Sequence, residues 1–463
     1  MDVDRDQERC LESLTWAVEQ LRGKVDIAKL NKIAELIIQA MTGPWRYFHT
    51  PEHIFEVGDS GDAIEVLAAL FHDLVYVQVD QGISVNISRF IAPFIKETPG
   101  HLAILDAEDL PSDRSFTLVL KVFGFAPSQR LSPMAGQNEF LSAVIAAKSL
   151  ESLLSYSHLA QIAACIEATI PFRPKSAEGV TADDRLYQRL LSISQEFDLG
   201  WTEAETLKVA QRAVRLANRD VENFAFPSSA HFLDNTWNLI PETNHDLKNT
   251  NAYKVQGYRL SIQKMEGFMN FLKPEVVFRQ FHGEPDDKTY QRLISNTKKN
   301  LEVARLYLGA KLVSIAIIEA LAFRIGRDVP ISTMMGELPS SGFSTVQLEH
   351  FLPKISSYIP PENPIEHDAL ELLEKGRSID SFYDVKNSPT ATFVVKSIGF
   401  AALRQLLQHA KAFFQDEISA EEFLSYCDPT VVETVTKGVI QLFESRKLAM
   451  QQEALNRHSA IAS

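Results

Sequence analysis

Residues 64–76 read Ile64-Glu65-Val66-Leu67-Ala68-Ala69-Leu70-Phe71-His72-Asp73-Leu74-Val75-Tyr76. An apolar run of this kind reads as a buried helix, and the adjacent His72-Asp73 interrupts it. Burying a carboxylate without partners is costly. A divalent cation removes that cost, because imidazole nitrogen and carboxylate oxygen are both ordinary metal ligands. A second stretch lies upstream, Arg46-Tyr47-Phe48-His49-Thr50-Pro51-Glu52-His53-Ile54. Thr50-Pro51 reads as an N-cap followed by proline at the first helical position. That places His53 in the first turn of a helix and His49 on the chain entering it.

Outward from these stretches the apolar period is helical nearly everywhere, and the fold class it predicts is all-α. Ile27, Leu30, Ile33, Ala34, Ile37, Ile38 and Met41 trace one helix face, closed by Gly43-Pro44. The segment 77–136 is weaker in pattern and carries five prolines, so it reads as an insertion of short helices and loops. Helix signals return over 138–154 and 158–169. After Gly200, Thr202-x-x-Glu205 matches a capping box, and Leu207, Ala210, Val214, Ala217, Val221 and Phe224 form a stripe bordered by Asp220. The polar stretch from Pro227 to Asn251 reads as a loop, followed by helices from Tyr258 to about Arg327. A Pro/Gly/Ser-rich link over 328–345 then separates a first domain, 1–327, from a helical C-terminal region, 346–463.

The charge balance narrows the function classes. With 46 Lys and Arg against 60 Asp and Glu, the net charge is −14, which argues against an extended nucleic-acid surface or anchoring on anionic lipid. A small phosphorylated substrate stays compatible, since a local metal and a few arginines override the global field. Cys10, Cys165 and Cys427 are odd in number and widely separated, which fits a reducing compartment. The acidic start is unlike a secretory leader. The greasiest stretch, Leu306 to Phe323, is broken by Lys311, Ser314 and Glu319 and reads as a buried helix, not a membrane span. A cytoplasmic protein is the expectation.

Taken in order, His53, His72-Asp73 and a distant Asp220, all on helices, resemble the HD superfamily of metal-dependent phosphohydrolases. The likeness is strongest to small bacterial members carrying a Tyr-His-x-x-x-His segment, an HD-x-Val-Tyr segment and an Asn-Glu-x-x-Ser-Ala helix. This chain has Tyr47-Phe48-His49-Thr50-Pro51-Glu52-His53, His72-Asp73-Leu74-Val75-Tyr76 and Asn138-Glu139-Phe140-Leu141-Ser142-Ala143, with Ile166-Glu167-Ala168-Thr169 resembling a further family helix. The likeness spans about residues 30–310 with interruptions. Two features depart from it: the longer stretch between Tyr76 and Asn138, and Phe172-Arg173 where the family tends to carry a histidine.

The resemblance implies an HD-type helical bundle with additional C-terminal helices. It also implies a divalent metal held by His53, His72, Asp73 and Asp220, with water activated for attack on a small phosphoester such as a nucleotide. The mixed N/O ligand set admits manganese, magnesium, iron, cobalt or zinc. His49 stands where related cyclic-nucleotide phosphodiesterases carry their general acid, and imidazole titrates in the right range for that role. Glu139 is a candidate for a supporting or second-metal role, and Arg46 and Arg173 are candidates for clamping phosphate oxygens. The other reading is a regulatory or scaffolding protein whose HD core binds metal or nucleotide without turnover, with a protein partner reached through the C-terminal region. Di-iron oxygenase chemistry normally needs further histidine ligands than the pattern supplies.

Overall fold

The computed structural model describes residues 3–249, 252–326, 329–338, 345–355 and 358–461. Among these, α-helices account for nearly all regular structure, against a single two-stranded antiparallel ribbon. The chain is all-α, as its periodicity predicts. No helix of the described residues is long and apolar enough to cross a membrane.

The chain forms two compact units. The first is Met1–Ala225 with Lys273–Ser295, and the second is Phe226–Leu272 with Asn296–Ser463. In the first unit the helices are α1 (Val3–Gln20), α2 (Ile27–Met41), α3 (Pro51–Val57), α4 (Ala63–Phe71), α5 (Val77–Asp80), α6 (Val85–Ile91), α7 (Arg114–Phe123), α8 (Gln137–Leu150), α9 (Tyr156–Ala168), α10 (Ala182–Glu196) and α11 (Glu203–Asp220). Every residue of α4 is buried, as expected of a helix that is apolar on all sides. Asp62 caps its start by accepting from the backbone N–H groups of Ile64 and Glu65. The stripe on α2 is buried from Leu30 to Met41, whereas Ile27 at its first turn is exposed. The capping box of Thr202 and Glu205 opens α11, and Asp220 is its last residue.

The insertion over 77–136 contains short helices, as its prolines suggest, and also the ribbon of β1 (Ile95–Thr98) and β2 (His101–Ile104). Strands of four residues are too short to show alternation against a helical background. Gly100, at φ +81°, makes the turn between them. Residues 273–295 return to this unit as a strap: Phe281 is buried in its core, and the Gln211 side chain donates to the His282 carbonyl at 2.9 Å.

The second unit contains α12 (Ser229–Thr243), α13 (Val255–Phe271), most of the long helix Asp287–Ala322, and the helices Pro364–Lys375, Pro389–Phe414, Ala420–Tyr426 and Pro429–Ile461. The expected loop over Pro227 to Asn251 is largely helix instead. Phe232, Leu233, Thr236, Trp237 and Ile240 recur at helical spacing and are buried, a signal hidden by the polar residues between them and by Pro241 near the helix end. Residues 250 and 251 of that stretch lie outside the described residues. The boundary expected at 327 also differs from the observed division. The helix Asp287–Ala322 packs Lys311 and Tyr307 onto Asp384 and Ser388, which ties it to the C-terminal helices. Within the expected link, Ile331–Met335 is helical, while 328 and 339–344 lie outside the described residues. The polar residues in Leu306–Phe323 are paired: Lys311 with Asp384 at 2.9 Å and Glu319 with Arg259 at 3.0 Å.

Candidate metal centre

Three helices bring the four predicted residues together. His53 comes from α3, His72 caps the end of α4 with Asp73 following it, and Asp220 ends α11. One ligand-type atom from each lies within 4.8 Å of every other. His72 Nε2 is 3.0 Å from Asp73 Oδ2 and 3.2 Å from Asp220 Oδ1. His53 Nε2 is 3.3 Å and 3.2 Å from the same two oxygens.

The tautomer of His72 follows from its other nitrogen. Nδ1 lies 2.7 Å from the carbonyl oxygen of Ala69, which can only accept, so Nδ1 carries a proton and Nε2 is the nitrogen that faces the two carboxylates. His53 Nε2 is buried and close to both carboxylates, yet it is aligned with neither and makes no hydrogen bond. Buried polar atoms are seldom left so. Two imidazole nitrogens and two carboxylate oxygens converging on one point are a donor set for a divalent cation, and these residues fit one.

The electrostatics agree with the geometry. Burial alone would lower the His53 imidazole, but the close approach and negative charge of Asp220 and Asp73 push it up to about 9. His72 rises well above its ordinary value against the same burial, through the charges of Asp73 and Asp220. Burial would likewise raise both carboxyls, yet the His72 charge beside them brings Asp220 down to about 2 and Asp73 well below its usual range. The cluster is therefore a focus of negative field that draws positive charge.

A set of buried contacts fixes the ligand-bearing backbone. Arg46 donates to the Asp73 carbonyl at 2.8 Å and to the Asp80 carboxylate at 2.9 and 2.6 Å, and its side chain has no exposed surface. This guanidinium is committed to the turn after α4, a supporting position, and is not open to a phosphate. The Ser142 hydroxyl accepts from Val75 N–H at 3.0 Å and the Asn138 side chain from Val77 N–H at 3.3 Å, tying α8 to the same turn. Glu65, two helical turns before His72, is buried and accepts from Arg215 at 2.9 Å and Arg219 at 2.8 Å on α11. That pairing sets the register between the helix bearing His72 and the helix bearing Asp220.

Of the other predicted residues, His49 stands beside the cluster but outside its ligand set, with Nε2 4.0 Å from Asp73 Oδ2 and its ring edge-on to Tyr76 at 4.6 Å. Glu139, in the first turn of α8, has a buried Oε2 without a hydrogen-bond partner. Burial, with Asp73 and Asp220 nearby, raises its carboxyl to about 7. Arg173 pairs with buried Glu167 at 2.7 Å. Two residues escaped the sequence reading. Glu65 was visible as a carboxylate within an apolar run, a position that demands a cationic partner. Arg279 carries no local signal, because only the path of the strap brings it here: the Asn218 side chain accepts from its N–H at 2.9 Å and donates to its carbonyl at 2.8 Å.

No protein-family model, curated protein or solved structure matches this chain.

Proposed function

We propose that the chain is a metal-dependent phosphohydrolase of the HD type, acting on a small phosphoester such as a nucleotide. The observation that carries this reading is the convergence of His53, His72, Asp73 and Asp220 around the hydrogen-bond-free Nε2 of His53, with His49 alongside. A divalent cation held by those four side chains would neutralise charge on phosphoryl oxygens and lower the pKa of coordinated water. The rest of the chemistry falls to the chain itself. Asp73 and Asp220 are partly exposed at 20% and 15% of their side-chain surface, so the cluster opens to solvent on their side, where a phosphoester can approach. His49, 12% exposed and with Nε2 4.0 Å from Asp73 Oδ2, would give a proton to a departing alkoxide. Arg46 and the Glu65 pair keep the ligands in register while this happens.

The test is metal depletion followed by repletion with manganese, elemental analysis, and a panel of nucleotides, cyclic nucleotides and nitrophenyl phosphates. Metal-dependent release of phosphate or a nucleotide product is expected. A protein that binds one cation tightly and turns over nothing on the panel would sink the hydrolase reading and leave a metal-binding regulatory protein.

A further inference from the structure

Beside the His/Asp cluster lies a second group of charges. Arg173 Nη1 and Arg189 Nη2 both reach Glu167 Oε1, at 2.7 and 2.6 Å, and Arg279 Nη1 reaches Asp183 Oδ1 at 3.0 Å. Arg279 also donates to the Ala168 carbonyl, the residue after Glu167. The carboxylates are nearly buried, with 2% and 4% of their side chains exposed, whereas Arg173 and Arg279 keep 20% and 15%. The acids thus hold the guanidiniums, and part of each arginine side chain stays exposed.

Packing places this group against the candidate metal centre. Ile170 fills the space where a Cβ of Gly136 would stand, so the chain after α9 lies on the first turn of α8, which carries Glu139. The Phe172 ring meets Phe224, just past Asp220, at 5.8 Å. The backbone of Arg279 is held from both sides by Asn218, two residues before Asp220. At this junction two buried atoms lack hydrogen-bond partners, Arg173 Nε and Glu139 Oε2. They belong to oppositely charged groups and do not satisfy one another. Leaving such atoms unpaired costs on the order of 1–3 kcal/mol each, so their placement calls for a group that bonds to them.

We infer that Arg173 and Arg279 form a binding site for a tetrahedral oxyanion beside the His/Asp cluster, and that Arg279 is delivered to it by the strap 273–295. Its identification with the phosphoryl group of a substrate rests on the phosphohydrolase reading. Arginine suits the role because its planar fork offers several fixed N–H donors: Arg279 spends one Nη1 and one Nη2 hydrogen within the protein and keeps others.

The test is calorimetric titration of the manganese-loaded full chain with inorganic phosphate. Arg279→Gln and Arg173→Gln are each expected to weaken phosphate binding by roughly 10-fold or more with metal stoichiometry unchanged, and Arg279→Lys to recover part of the loss. Arg292→Gln, an exposed arginine on the same strap, should match the parent protein. If Arg279→Gln fails to fold, Arg173→Gln, outside the strap, carries the test. Lower thermal stability with unchanged phosphate affinity in both variants would show purely structural ion pairs and overturn the site, as would a parent protein that ignores phosphate at about 10 mM. Arginine-dependent phosphate binding without turnover of any ester would leave the site standing while the hydrolase reading fell. Turnover with KM and phosphate affinity untouched in both variants would do the reverse.

Discussion

Each unit buries a charged cluster, and the two are built in opposite ways. In the second unit Asp384 Oδ2 accepts from Trp237 Nε1, the Tyr258 hydroxyl and Lys311 Nζ, each at 2.9 Å. Arg377 lies over the Trp237 ring at 4.4 Å, and although its Nε and Nη2 make no hydrogen bond, the ring face offsets part of their cost. At Asp384 the acceptor meets its donors, and opposite charges face one another. In the first unit the Asp73 and Asp220 carboxylates face the imidazole nitrogens of His53 and His72, and that of His53 has no hydrogen bond. Buried charge alone therefore does not mark a ligand site. A surplus of lone pairs aimed at one point does.

The largest effect that would break this contrast is in the first unit. Asp73→Ala and Asp220→Ala should each abolish cation binding in a folded protein, since each removes one of two anionic ligands; unchanged metal content by elemental analysis would refute the assignment. His49→Ala should retain the metal and lower turnover by roughly 10²–10⁴-fold, with a smaller loss on nitrophenyl esters whose leaving groups need no proton. Equal losses on good and poor leaving groups would exclude the acid role, and loss of metal would make His49 a ligand.

In the second unit Asp384→Ala should leave metal content alone and cost about 3–5 kcal/mol of stability in urea denaturation, because it strands Lys311 and Arg377. A change in metal content instead would erase the distinction between the clusters. Glu65→Gln lies between the two cases: the register of α4 and α11 loosens, and cation affinity should drop about 10-fold without loss of fold. An unaltered affinity would make that pairing merely structural.

The smallest effect sharpens the contrast through pH. Burial would raise the Asp384 carboxyl, but Lys311 and Arg377 hold it below its ordinary value. A depressed carboxyl contributes stability above its unfolded-state pKa and loses it as pH falls through the folded one. The margin of the parent protein over Asp384→Asn should then be full at about pH 6 and shrink between about pH 4 and pH 2. A margin constant over that range would show that hydrogen bonding, not charge, is what Asp384 supplies.

What could be read from sequence was whatever depends on neighbours along the chain. His72-Asp73 within an apolar run, Thr50-Pro51 before His53, and the Thr202 capping box are local patterns, and the helices that carry them formed as expected. Asp220 was legible because it borders an apolar stripe. The partners of Glu65, the seat of Arg46 beneath Asp73, and Arg279 depend on which helices meet, and no spacing encodes that. The helix α12 was hidden by composition: its buried face is apolar, but its surface is polar enough, with Pro241, to read as loop. The ribbon at 95–104 was too short to declare a period.

The strap has a consequence for how the protein is made. Unit one is interrupted by residues 226–272, which belong to the other unit, and is completed only by 273–295. During synthesis its core waits, with the seat of Phe281 unfilled, until at least 56 further residues beyond Ala225 have emerged, the distance from 225 to 281. A ribosome stalled or a chain cut after 225 would release helices α1–α11 with an apolar gap in their flank, so chaperone demand should peak in that window of translation.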